Sequence, residues 1–165
     1  MAGESKDDES QNYDVKACAP SDLSSAELAA CVAVIKEGDA VDPDSAEAEL
    51  PYAKVLAVAR KRDDVVGVGA IKRPRPQYAA TIAARSGYSF DPNTPELGYV
   101  AVDPKHKKHG LSHRIVAELL SKHEGPLFAT TDNPHMKKTL EKPGFVQKGG
   151  EWKGRKGQLS LWTRD

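Results

Sequence analysis

Cysteine is scarce in this 165-residue chain: Cys18 and Cys31 stand alone, without the paired spacings that hold zinc or build a secreted disulfide framework. Both read as small buried residues. Long hydrophobic runs are missing as well. None approaches the ~20 apolar residues needed to span a bilayer, and the N-terminus lacks the basic and apolar regions of a signal peptide. The expectation is a cytoplasmic protein without a membrane partner. Net charge is absent too, since 24 Lys and Arg offset 24 Asp and Glu. That balance conceals an asymmetry: residues 1–102 carry 11 basic and 17 acidic side chains, the remainder 13 and 7. An anionic ligand therefore belongs more naturally to the C-terminal part. There is no internal repeat, and the length suits one domain with a single core.

What is present divides cleanly along the chain. Residues 1–12, MAGESKDDESQN, are too polar to offset their own ordering entropy and read as a flexible acidic tail; residues 13–165 read as the folded domain. YDVKAC (13–18) predicts a strand. Ser24 and Glu27 form a capping-box pattern ahead of Leu28, Val32 and Ile35, which predicts a helix over about 25–37, with a short second helix near 45–50. KVLAVARK and VVGVGAIKR flank RDD as an antiparallel hairpin. Residues 74–95 carry four prolines and no clear period, so they read as a lid, a binding loop or a partly disordered segment. ELGYVAV (96–102) predicts a strand, GLSHRIVAELLSKH a helix with an apolar stripe, LFATTD a strand, and NPHMKKTLEK a short Asn-capped helix. FVQKGGEW and GQLSLWTR close the chain as a hairpin.

The segment DPKHKKHGLSHR (103–114) packs seven cationic or potentially cationic side chains around one glycine, where a strand and turn lead into a helix. Unpaired N–H groups and the positive end of the helix dipole converge at such a junction, which suits an anion. It is neither a P-loop, because no Gly-Lys-Ser/Thr closes it, nor a G-x-G-x-x-G fingerprint. His106, His109 and His113 straddle the loop and helix with only Asp103 as an acidic neighbour, so no metal site is expected.

The same residues resemble the GNAT family of acyl-CoA-dependent N-acyltransferases. Its hallmark is a strand ending in V-x-P and then Q/R-x-x-G-x-G/A at a helix start. Here Val102, Pro104 and Lys107-Lys108-His109-Gly110-Leu111-Ser112 hold that register, with Lys107 and Ser112 as departures. A later N-x-x-A-x-x-x-Y-x-K-x-G-F motif is matched in spacing by Asn133, Met136, Lys142, Gly144 and Phe145. The resemblance covers residues 13–165. It implies the α/β (α+β) GNAT fold, a central mixed, mostly antiparallel sheet of six to seven strands with a V-shaped splay between two central strands, flanked by about four helices. It also implies acetyl-CoA as co-substrate. Lys107, Lys108, His109, Gly110, Leu111 and Ser112 would hold the pyrophosphate, Val100, Ala101 and Val102 the pantetheine arm, and Asn133 a further contact.

Acyl transfer requires a neutral amine, so a base must take a proton. Glu96, at the head of the strand before the loop, stands at the spacing of the family's glutamate base; the alternative is a strand-edge carboxylate in water. The family tyrosine that protonates the leaving thiolate is replaced by Leu140, leaving Tyr99 and Tyr88 as substitute acids, with Tyr78 a further phenol in the 74–95 segment. Trp152 and Trp162 read as sheet packing.

The leading expectation is acetyl transfer to an amine on a small molecule or protein, with a homodimer admitted. A GNAT-like enzyme modifying aminoacyl-tRNA or a DNA base is the alternative, resting on KRPRP (72–76) and WKGRKG (152–157). A CoA-binding module without catalysis is a third, resting on Leu140.

Overall fold

The computed structural model describes residues 12–38 and 43–165; residues 1–11 of the acidic tail lie outside the described residues. The chain divides into two compact units, Met1–Ile71 with Tyr99–His123, and Lys72–Gly98 with Glu124–Asp165. Among the described residues no helix is long and apolar enough to cross a membrane.

In the first unit, β1 (Tyr13–Cys18), β2 (Val55–Lys61) and β3 (Asp64–Ile71) precede β4 (Leu97–Val102) in a sheet of order β1-β2-β3-β4. β2 pairs antiparallel with both β1 and β3. The expected hairpin is therefore present, turning at Arg62, whose φ is +58°. Helices α1 (Ser25–Gly38) and α2 (Pro43–Glu49) follow β1, and α4 (Leu111–Ser121) follows β4.

Strand alternation sorts side chains by size here. Leu56, Val58, Val68 and Ala70 join Cys31, Val34 and Ile35 of α1 in one apolar cluster. The intervening positions 57, 59, 67 and 69 are Ala or Gly. A Cβ at Gly69 would come within 2.5 Å of Ile115 Cγ2 and 3.1 Å of Leu119 Cδ1, so the small residues let α4 lie close against the sheet. Its stripe of Leu111, Ile115, Val116 and Leu119 is fully buried. Because strands covered on both faces lose the alternation of apolar and polar residues, VLAVA reads as a continuous apolar run. Burial also pushes the Cys31 thiol up to about 11 and raises that of Cys18, which leaves neither as a ready nucleophile.

The second unit holds α3 (Pro76–Ser86), β5 (Leu127–Thr131), α5 (Pro134–Glu141), β6 (Val146–Lys153) and β7 (Gln158–Arg164), with sheet order β5-β7-β6 and antiparallel pairing. Among the described residues seven strands thus form a four-stranded and a three-stranded sheet. Just before β4, Glu96 makes a single parallel bridge to Phe128 of β5. Ala79, Ile82, Phe128 and Leu161 form the local core, with Tyr78, Tyr88, Phe90 and Trp152 packed around it. Trp162 is buried and donates from Nε1 to Ser160 Oγ at 2.8 Å.

Helix α3 corrects the reading of 74–95 as lacking a regular element and is one of five α-helices among the described residues, in keeping with the about four expected. Pro76 occupies its first turn, where a missing N–H costs nothing. Ala79, Ile82 and Ser86 are its buried positions, at helical spacing, and Gly87 ends it at φ +75° with its N–H on Ala83 O at 2.9 Å. Only one of those buried side chains is large and apolar, so the period was faint.

Candidate active site

The basic loop is built from the strand outward. Asp103 N–H donates to Val66 O at 2.8 Å, fixing the end of β4 to β3. Asp103 Oδ1 then accepts from Lys105 N–H at 2.9 Å, closing a short 3-10 turn over Pro104–His106. Lys108 and Gly110 both adopt left-handed backbone, with φ +72° and +71°, so the chain reverses twice before α4 begins. Gly110 is the helix cap and supplies no side-chain acceptor. The first N–H groups of α4 thus point toward the loop. A Cβ at Gly110 would meet no protein atom within 4 Å.

Two of the loop histidines have structural work. The Tyr13 hydroxyl and His106 Nδ1 share a 2.8 Å hydrogen bond, and the rings of Tyr13 and His109 lie 5.4 Å apart. Arg114 Nη2 donates to Tyr13 O at 3.1 Å. Tyr13 thus braces the loop from β1, while Lys107 and Lys108 remain exposed and have the reach and charge to meet phosphate oxygens. No group of three His, Cys, Asp or Glu is arranged to hold a metal ion among the described residues.

Within β4, Tyr99 has φ +54°, a conformation strongly disfavoured for an aromatic residue. A left-handed residue inside a strand turns the following peptides off the regular ladder, and Val100, Ala101 and Val102 come directly after it, each half-buried. The Tyr99 ring is buried and its hydroxyl shares a 2.9 Å hydrogen bond with Ser45 Oγ.

Glu96 is not an exposed strand-edge carboxylate. Its side chain is only 8% exposed, and its Oε1 is met by Lys72 Nζ at 3.1 Å and Arg75 Nη2 at 3.3 Å. Lys72, part of the KRPRP segment that the nucleic-acid alternative rests on, is itself buried to 8%; the sequence KRPRP carries no sign of its partner. Gly98 makes the pairing possible, since a Cβ there would lie 2.7 Å from Lys72 Cε.

The remaining candidates are scattered. Tyr88 is half-buried beside the small core of α3, with Lys148 Nζ 5.6 Å from its ring centre. Asn133 caps α5, its Oδ1 accepting from His135 N–H at 2.8 Å and Met136 N–H at 3.4 Å. Leu140 is completely buried.

A strand with a left-handed residue, a loop with two left-handed residues and a helix start without a side-chain cap thus stand in sequence on a mixed α/β scaffold. The family model described as Acetyltransferase (GNAT) family matches residues 24–145. The chain belongs to the GNAT acetyltransferase family. No curated protein matches it closely enough to be counted as a relative. Among solved structures, it is similar to an acyl-CoA N-acyltransferase from Pseudomonas aeruginosa at 13% identity, covering 93% of this chain and 99% of that one with a TM-score of 0.67. An acetyltransferase named yncA from Salmonella typhimurium, solved with acetyl-CoA, is 18% identical over 93% of each chain, with a TM-score of 0.61. FeeM, an N-acyl amino acid synthase from uncultured soil microbes, is 16% identical over 92% and 89%, with a TM-score of 0.63. At these identities the likeness concerns the fold.

Proposed function

We propose that this protein transfers an acetyl group from acetyl-CoA, the co-substrate of its family, to an amine by direct attack. The observation that carries the reading is the loop at 107–112: two left-handed residues, two exposed lysines and an uncapped helix start within six positions. The diphosphate is held by the amides of Lys107–Ser112 and by the Lys107 and Lys108 side chains, and the pantetheine arm by the backbone of Val100, Ala101 and Val102. Asn133, whose Oδ1 is committed to the cap, contributes its amide N–H group. The bound co-substrate supplies an activated thioester.

Glu96 serves as the base, taking a proton from the acceptor amine directly or through water, because an ammonium has no lone pair with which to attack. Tyr99 and Tyr88 are the phenols assigned to protonate the departing thiolate in place of the family tyrosine. For Tyr99, Ser45 at 2.9 Å is a hydroxyl able to replace the proton given up. FeeM is named for N-acylation of amino acids, which supports an amine as acceptor. The full burial of Leu140 favours one further reading, a CoA-binding module without turnover.

Calorimetry and a thiol-release assay separate these readings. Wild type should bind acetyl-CoA and release CoA when an amine is supplied; tight binding with no turnover on any amine points to the binding module. Gly110→Val forces a β-branched residue into a left-handed conformation that costs of order 1–3 kcal/mol and fills the open side of the loop. Acetyl-CoA binding should fall below detection in a folded Gly110→Val protein, and Lys107→Ala should lose less because the amides remain. Unchanged affinity in folded Gly110→Val removes the proposed cradle.

A further inference from the structure

Glu96 receives more positive charge than it needs. Lys72, buried to 8% and 3.1 Å away, already forms a one-to-one pair with it, yet Arg75 also sits 3.3 Å from the same Oε1. Lys72 is inaccessible, whereas the Arg75 side chain is 29% exposed. Its guanidinium lies over the Tyr78 ring, 4.5 Å from the centre, so a cation–π contact holds it in place. Among the described residues Nη2 is the one guanidinium nitrogen given to Glu96. A planar fork of N–H donors, held in place and partly open to solvent, is suited to a carboxylate met by two parallel hydrogen bonds.

We infer that Arg75 reads a carboxylate on the acceptor, so that the acceptor is an amino acid. This rests on the acetyltransferase reading above and deepens it. Arg75 and Glu96 are in direct contact, so the acceptor's carboxylate and the amine whose proton Glu96 takes lie close together on one small molecule. An α- or β-amino acid has that geometry; a long polyamine or an aminoglycoside has amines without the carboxylate. Arg75 is thereby a specificity-determining residue. Tyr78 is a positioning residue that holds its guanidinium in place, and Lys72 keeps Glu96 neutralised when Arg75 engages the ligand.

The test uses the full chain, acetyl-CoA and a panel of free amino acids alongside their carboxamides, with polyamines as a third arm. The best amino acid should exceed its carboxamide in kcat/KM by at least ~10-fold, chiefly through KM, since a charged hydrogen-bond pair is lost in the amide. Arg75→Gln should erase that preference while acetyl-CoA affinity, read by calorimetry, stays as in wild type. Arg75→Lys should restore part of it, as a point charge without the fork. Equal use of carboxamides, retained preference in Arg75→Gln, or acetylation of polyamines alone overturns the inference and leaves the acetyltransferase reading standing. Failure to bind acetyl-CoA at all overturns both. The comparison of amino acids with carboxamides needs only wild type, so a poorly folding variant does not obstruct it.

Discussion

At Glu96 catalysis and stability draw on one carboxylate. Burying a charge is tolerable only beside a partner, and Lys72 and Arg75 supply it. Glu96→Gln therefore has two effects. Acetyl-CoA affinity should be kept while kcat falls by roughly 10² or more, because an amide of the same shape accepts no proton. Stability should fall by about 3–5 kcal/mol, the cost of leaving a buried charge without its partner. Combining Glu96→Gln with Lys72→Met separates the two. Chemical denaturation should show stability largely regained, while turnover stays low. Turnover that returns together with stability would reduce Glu96 to a structural ion-pair partner. Leu140 makes a related point: the family's tyrosine position is here packed interior, so the missing hydroxyl cannot be restored without displacing neighbours.

Helix α1 shows an element whose start was legible and whose pH response follows from it. Ser24 N–H donates to Glu27 Oε1 at 3.1 Å, and Glu27 N–H donates to Ser24 Oγ at 3.1 Å, the reciprocal pair that the spacing S-x-x-E predicts. Arg60 Nη2 adds a 2.7 Å contact to Glu27 Oε2. The Ser24 backbone N–H, with help from Arg60, lowers the Glu27 carboxyl below its ordinary value of 4.5. A depressed folded value means this stabilisation is fully present above the unfolded value and is lost as pH falls through the folded one. Thermal melts should accordingly show Glu27→Gln less stable than wild type near neutral pH, with the gap narrowing as pH drops below 4.5. A gap independent of pH would show that the Glu27 charge does not contribute to the cap. Helix α3 is the opposite case. The prolines on and around it, and its buried face of Ala79, Ile82 and Ser86, hide a helix that packs on β6 and β7.

For the molecule as a whole, zero formal charge at pH 7 removes the mutual repulsion that keeps proteins apart in solution. Light scattering at low salt should find association greatest near pH 7 and reduced about two units to either side. A scattering profile that is flat across that range would show that charge does not govern its solubility. On the KRPRP side, Lys72 and Arg75 both pair with Glu96, so that segment does not make a broad cationic surface of the kind that nucleic acid needs. Arg155 and Lys156 at the β6–β7 turn are exposed, too small a patch to point to nucleic acid.

Local chemistry was readable in the sequence because it depends on neighbours in the chain. The Ser24 cap, the Asn133 cap, the β2–β3 hairpin, the stripe of α4 and the spacing around Gly110 all involve residues a few positions apart, and each is found where expected. The family's register around Val102 and Gly110 belongs to the same class. Tertiary structure alone decided the rest. Lys72 lies 24 positions from Glu96, and nothing between them marks the pair. Tyr13 lies 93 positions from His106. Helix α3 formed because the core of Phe128 and Leu161 accepts a weakly apolar face. Burial and pairing at such separations arise when distant segments are packed together, and no periodicity in the chain encodes which partners will meet.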